Sequence, residues 1–390
     1  MTMHFSPSVA SPIVESHSRL DAYVADRQFD RPTLIIDLDR VATQYCALKA
    51  GLGRADIHYA VKANPAREII ARLVDLGAHF DAASRAEIAL CLQEGAEPSE
   101  VSFGNTIKRA SDIAWAYDQG IRLFAADAAQ ELDKIAANAP GASVYIRLIV
   151  EHSQADWPLS RKFGCDRAMA LTLLDYAKAL GLQPVGFSFH VGSQTRQAAM
   201  WAPILDVFAQ IWADARAAGH DLSLLNIGGG FPAFYGEEIE APTAYAASVI
   251  AMVEARFPHL RKIMAEPGRG MVAEAGLIVS EVLLVSRKSA DDLHRWVYLD
   301  IGRFSGLAET EGEAIRYQLQ TARDADPMGP CVVAGPTCDS ADVLYEKRPV
   351  GLPMTLQPGD RVLIRNTGAY TSTYSSVCFN GFPPLDVVVI

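Results

Sequence analysis

Eight times between residues 57 and 266 a short apolar run rises out of polar or amphipathic sequence, and nothing else in the chain limits its fold as strongly. The runs are "IHYAVK", "AHFDA", "VSFG", "IRLFA", "SVYIRLIV", "VGFSFHV", "LSLLNI" and "KIMAE". Helical patterns separate most of them. "PAREIIARLVDLG" begins on Pro65, carries apolar residues at 69, 70, 73 and 74, and stops at Gly77. "SRAEIALCLQEG" opens with the capping-box spacing Ser84-x-x-Glu87 and stops at Gly95, and residues 166–181 repeat that logic. Eight strand-then-helix units predict an α/β fold, a (β/α)8 barrel over residues 38–275. An open doubly wound sheet is the competitor, but no GxGxxG follows the first strand. From residue 276 the pattern changes to short strands: "GLIVSEVLLVSRK", "HRWVYLDIG", "CVVAGPTC", "DRVLIRNTG" and "SVCFNGF". Residues 1–37 plus 276–390 are therefore expected to form a second, β-rich domain, to which "TLIIDL" adds a strand.

A length of 390 residues suits about two domains. With 35 Lys and Arg against 46 Asp and Glu, the net charge of -11 argues against a nucleic-acid partner and agrees with a cationic substrate. The six cysteines form no CxxC, so no zinc ribbon or disulfide framework is indicated. No apolar run reaches about 18 residues, so no membrane span is expected. Reduced thiols and the absence of a secretory pattern lead us to expect a cytoplasmic protein.

In a (β/α)8 barrel, side chains at the carboxyl ends of the strands line the active site. Those positions here are Lys62, Asp81, Arg147, His190 with Ser193, Gly228-Gly229-Gly230, and Glu266 with Arg269. Taken singly each has a plain structural reading. Lys62 snorkels, Glu87 completes a capping box, His190 is a hydrogen-bonded core residue, and Glu266 pairs with Arg269. The glycine triplet is harder to dismiss, because its backbone N–H groups can form an anion nest that cradles phosphate. A lysine amine, a phosphate cradle, a carboxylate and an imidazole on one rim suit pyridoxal phosphate: the lysine takes the aldehyde, the carboxylate keeps the ring nitrogen protonated, and the imidazole stacks on the ring. No metal site is expected.

The segments "YAVKANP", "FDAASRAEI", "SFHVGSQ", "NIGGGFP", "AEPGRG", "GPTCDSAD" and "GAYTSTY" closely resemble the fold-type III pyridoxal-phosphate decarboxylases, which act on ornithine, lysine, arginine or diaminopimelate. The likeness runs from about residue 34 to 383, and "YLDIGRFSGLAET" looks most like the compact bacterial-type ornithine or ornithine/lysine enzymes. It implies an alanine-racemase-like barrel and a homodimer with shared active sites, the β-rich domain contributing to both. It implies that Lys62 binds the cofactor aldehyde, that Glu266 faces the ring nitrogen and that His190 stacks on the ring. Ser193, Gly228, Gly229, Gly230, Arg269 and Tyr370 would hold the phosphate, and Asp81, Glu87 and Arg147 would form a charged set around the lysine. Cys338, from the second subunit, would protonate the α-carbon, and Asp339 would meet the substrate's distal ammonium.

The implied reaction is decarboxylation of L-ornithine to putrescine, in polyamine biosynthesis, with L-lysine to cadaverine as the second candidate. Diaminopimelate decarboxylases usually have "CES" where this chain has "CDS", and family arginine decarboxylases are much longer; both points argue against those substrates. Glu309 is expected to help Asp339 hold the distal ammonium, and Arg303 to be structural. The polar stretch 151–164 is read as a lid or an ordinary loop. The alternatives left open are a decarboxylase of another diamino acid or its conjugate in a secondary pathway, a non-catalytic regulator on the same scaffold, and a racemase.

Overall fold

A computed structural model describes residues 18–150 and 162–390. The strand β1 (Thr33–Ile36) precedes a set of parallel strands: β2 (Asp56–Ala60), β3 (His79–Ala82), β4 (Val101–Phe103), β5 (Leu123–Ala126), β6 (Ser143–Arg147), β7 (Gln183–Ser188), β8 (Leu224–Asn226) and β9 (Lys262–Ala265). Among the described residues, β2 through β9 close into a barrel in sequence order, with β9 pairing back onto β2. Each of the eight expected runs supplies one of these strands. They are readable as near-continuous apolar runs because a parallel barrel strand is covered on both faces.

The helices between them form where the caps allow. In Arg67–Asp75 the residues Ile69, Ile70 and Leu73 are fully buried, each burial worth about 1.5–3 kcal/mol. The helix ends at Leu76, and Gly77 turns the chain away at a φ of 75°. Ser84 Oγ accepts the Glu87 N–H at 3.3 Å to start Arg85–Gln93, and Asp166 does the same for Met169 at 2.8 Å.

Alternate strand residues share a face, which sorts the barrel interior into layers. Ala125, Tyr145, Leu224 and Met264 form a small apolar cluster midway up. Asp81, Asn226 and Glu266 continue those inward faces toward the carboxyl ends, while Asp56, His58, His79 and Lys262 occupy them at the opposite mouth.

The second domain is a separate β-rich sheet built from β10 (Gly276–Ser286), β11 (Arg295–Leu299), β12 (Leu319–Thr321), β13 (Met328–Ala334), β14 (Val343–Pro353), β15 (Arg361–Arg365) and β16 (Asp386–Val389). Its order is β12-β15-β10-β11-β13-β14, and β1 joins it between β10 and β16. "TLIIDL" therefore does lend its strand to this sheet. "SVCFNGF" is not a strand: Cys378 and Asn380 adopt φ of 57° and 51°, and Phe379–Gly381 is a 3-10 turn. Left-handed backbone at alternate residues cannot extend. All six cysteines are free thiols. Among the described residues no helix is long and apolar enough to cross a membrane.

Candidate active site

Lys62 stands just beyond β2, in the 3-10 turn Val61–Ala63. Both domains hold that turn. The Tyr59 hydroxyl donates to the Asn64 carbonyl at 2.9 Å, Asn64 Nδ2 donates to the Gly368 carbonyl at 2.8 Å, and the Tyr370 N–H donates to the Ala63 carbonyl at 2.9 Å. Lys62 Nζ lies 3.3 Å from Asp81 Oδ2, with the lysine side chain 48% exposed and the carboxylate 5%. It is therefore not a free surface lysine. Burial alone lowers its pKa, but Asp81, Tyr370 and Glu266 more than reverse this and hold the ammonium above its ordinary value. Asp81 depends in turn on Gly104: a Cβ there would fall 1.8 Å from Asp81 Oδ1. Gly104→Ala must displace the carboxylate, and a shift of that size can cost about 10²-fold in rate. The expected result is a kcat drop of that order with unchanged circular dichroism.

The strand β8 delivers the glycine loop. Gly228 and Gly230 have φ of 70° and 104°, and a Cβ on Gly228, Gly229 or Gly230 would fall 2.1, 2.7 or 2.5 Å from a backbone carbonyl oxygen. The loop thus admits no side chain, and the Gly229 and Gly230 N–H groups are the ones it can turn to an anion. Asn226, which the sequence reading passed over, ties this loop to Glu266. Its Nδ2 donates to Glu266 Oε1 at 2.5 Å, and its Oδ1 accepts the Gly228 N–H at 2.9 Å. Burial, then Asp81, raises the Glu266 carboxyl to about 7, against the opposing pull of Lys62, Asn226 and Arg147. Glu266 and Arg269 do not pair with one another.

His190 follows β7 and receives the Gly192 N–H on Nδ1 at 3.0 Å, which places the proton of the neutral ring on Nε2. Burial, with Arg147 and Lys62, holds its pKa well below the ordinary value, so the imidazole is uncharged. Lys62, His190, Ser193, Gly229, Gly230, Glu266, Arg269 and Tyr370 line one cleft. Arg147 lies beside it with its guanidinium 5.2 Å over the Phe163 ring. Tyr370 is held at a φ of 54°, which is rare for a bulky residue, and its ring lies 5.0 Å from the Arg269 guanidinium. A larger void of about 310 Å³ touches the cleft through Gln194, but none of the titratable groups named above lines it.

Residues 38–273 match the family described as pyridoxal-dependent decarboxylase, pyridoxal binding domain. The chain belongs to that family. The lysine/ornithine decarboxylase of Selenomonas ruminantium is 34% identical over 91% of this chain and 88% of its own. Among solved structures, the lysine/ornithine decarboxylase of Vibrio vulnificus complexed with cadaverine is 31% identical with a TM-score of 0.84, covering 98% of this chain and 100% of that one. The arginine decarboxylase of Paramecium bursaria Chlorella virus bound to agmatine is 29% identical with a TM-score of 0.85, covering 95% and 100%. This decarboxylase is a pyridoxal-phosphate-dependent carboxy-lyase. Its residues fit the cofactor. A loop closed to side chains offers N–H groups to the phosphate, a buried carboxyl that titrates near neutrality suits a ring nitrogen, and an amine stands within reach of both.

One expectation needs correction. An arginine decarboxylase of matching length exists, so chain length does not argue against arginine. Glu309 meets an arginine within its own chain. Both its oxygens accept from Arg269, at 2.7 and 2.5 Å, with both side chains buried. Proximity across 40 residues of sequence, between the two domains, was not readable from the loop that carries Glu309. Arg303 pairs with Glu311 at 3.4 Å and donates its N–H to Asp342 at 2.8 Å.

Glu87 accepts the Ala83 N–H at 2.7 Å, one residue before the capping position, and burial raises its pKa with Asp81 and Lys62 as charged neighbours. Cys338 and Asp339 are exposed and do not line the cleft of their own chain. Most of the expected lid, residues 151–161, lies outside the described residues.

Proposed function

We propose that this decarboxylase converts L-ornithine to putrescine and carbon dioxide, with L-lysine as its second substrate, in a homodimer whose sites each combine two chains. The observation that carries the chemistry is the meeting of Lys62, Glu266, Gly229 and Gly230 around one cleft, with Asp81 held against Lys62. Pyridoxal phosphate, when bound, supplies the electron sink for the pair left on the α-carbon as carbon dioxide departs. Lys62 anchors it and passes a proton to or from Asp81. Glu266, itself near its titration point, keeps a proton on the ring nitrogen, and Asn226 fixes which oxygen does so. The glycine loop, Ser193, Arg269 and Tyr370 bind phosphate, and neutral His190 stacks without adding charge. The exposed Cys338 and Asp339 of a second copy would supply the acid for the α-carbon and the anion for a distal ammonium.

Support for the substrate comes from three sources: the relatives named lysine/ornithine decarboxylase, the single acidic residue beside Cys338, and the net charge of -11. Ornithine and lysine differ by one methylene, worth only about 1–3 kcal/mol of discrimination. Arginine is the competitor to exclude. Its guanidinium wants a bidentate carboxylate, which Asp339 can offer.

Turnover of L-ornithine, L-lysine, L-arginine and meso-diaminopimelate in one carbon dioxide release assay decides the matter. We expect ornithine first, lysine lower by about 10–200-fold, and the other two negligible. Arginine as the leading substrate would overturn the proposal. Cofactor binding without turnover of any of the four would move the substrate to another diamino acid or a conjugate of one.

A further inference from the structure

At the mouth of the barrel opposite the cleft, β2 and β3 bring three ligand-type side chains together. His58 and His79 are register partners whose rings meet edge to face, centroids 4.9 Å apart. Asp56 stands two residues before His58 and therefore on the same face of β2. One ligand atom from each of the three residues lies within 4.8 Å of the others. His58 is only 1% exposed, yet neither of its ring nitrogens has a well-formed hydrogen bond, and His79 Nδ1 is likewise buried without one. Buried polar atoms are nearly always satisfied in native proteins, so three such ring nitrogens on two adjacent imidazoles require a cause. The Phe80 carbonyl is near enough to interact weakly with His58. That leaves the second ring nitrogen with a free lone pair, as in metal-ligating imidazoles whose other N–H faces a carbonyl.

We propose that Asp56, His58 and His79 bind one divalent transition-metal ion of the zinc type, at a site separate from the cofactor cleft. Two imidazoles and one carboxylate are a borderline donor set, and water completes the tetrahedron. Metal–ligand bonds of about 2.0–2.1 Å place ligand atoms about 3.3 Å apart, so the three side chains must close in by up to about 1.5 Å. The present occupant of the carboxylate is Lys262, its Nζ 3.4 Å from Asp56 Oδ2 and its side chain 42% exposed. That ammonium can swing to solvent, so ion and lysine compete for Asp56. The ion would tie β2 to β3 at the ends opposite Lys62 and Asp81, bracing the two strands that position the cofactor lysine.

Zinc content of the cofactor-loaded enzyme, and its zinc affinity by competition with a chromophoric chelator, test the proposal. We expect one zinc per chain, binding weakened at least about tenfold in His79→Gln and in Asp56→Asn, and tightened in Lys262→Met. Circular dichroism and cofactor absorbance report that each variant is folded and loaded. Two outcomes would overturn the proposal. Absence of zinc binding in both the parent enzyme and Lys262→Met would assign the gap to water. Affinity unchanged in His79→Gln and Asp56→Asn would place the ion elsewhere, for instance on the exposed thiols.

Discussion

Lys62→Arg yields a folded protein whose kcat is lower by roughly 10³–10⁴-fold, the upper range for removing a proton-transferring group. Arginine keeps the positive charge that Asp81 faces at 3.3 Å, so the buried carboxylate is not left alone and the fold is preserved. What disappears is the chemistry of an amine. A guanidinium does not lose its proton in a protein, so it neither bonds to an aldehyde nor returns a proton during turnover. Lys62→Ala would confuse this loss with that of Asp81's partner, which makes arginine the sharper substitution. Borohydride reduction of the loaded parent enzyme should add the cofactor's mass to the peptide carrying Lys62, and the variant should show none there. Label on another lysine, or a kcat within tenfold of the parent, would remove Lys62 from the role proposed for it.

That lysine could be singled out from sequence because two regularities meet at it. Barrel strands covered on both faces read as apolar runs, and an ionisable side chain at the end of such a run is out of place unless it faces a site. Asp81, His190 and Glu266 stood out for the same reason. Asn226 did not. Nothing in "LLNIGGG" says that an amide will bond forward to the loop and across to Glu266, because the second bond spans 40 residues. His58 and His79 escaped for a related reason. The run "IHYAVK" displays the first of them, but only the register of β2 on β3 reveals that the second lies beside it. The misread "SVCFNGF" shows the opposite failure. Its apolar and aromatic residues suit a strand, and only the left-handed backbone at Cys378 and Asn380 forbids one. Cys338 and Asp339 stand exposed, outside the cleft of their own chain. Motif resemblance pointed to their use, whereas periodicity was silent.

Glu309→Ala should cost about 3–5 kcal/mol of stability in the cofactor-free protein, the usual penalty for leaving one member of a buried ion pair uncompensated. The side chains of Arg269 and Glu309 are 5% and 7% exposed and share two hydrogen bonds. Tyr235, the other group that Arg269 Nη1 meets, at 3.1 Å, offers a hydroxyl and no charge. Glu309→Gln keeps an acceptor and loses the charge, so its cost should be smaller, about 1.5–3 kcal/mol. Pyridoxal phosphate should recover part of either loss, because its phosphate brings Arg269 a replacement anion, and ligand that binds only the folded state stabilises it. Denaturant melts of both variants with and without cofactor measure all four quantities. A contact to substrate predicts another pattern: stability unchanged, and KM for ornithine raised with kcat preserved. The two readings of Glu309 therefore separate cleanly. Its ion pair with Arg269, which lines the cleft, favours the stability pattern.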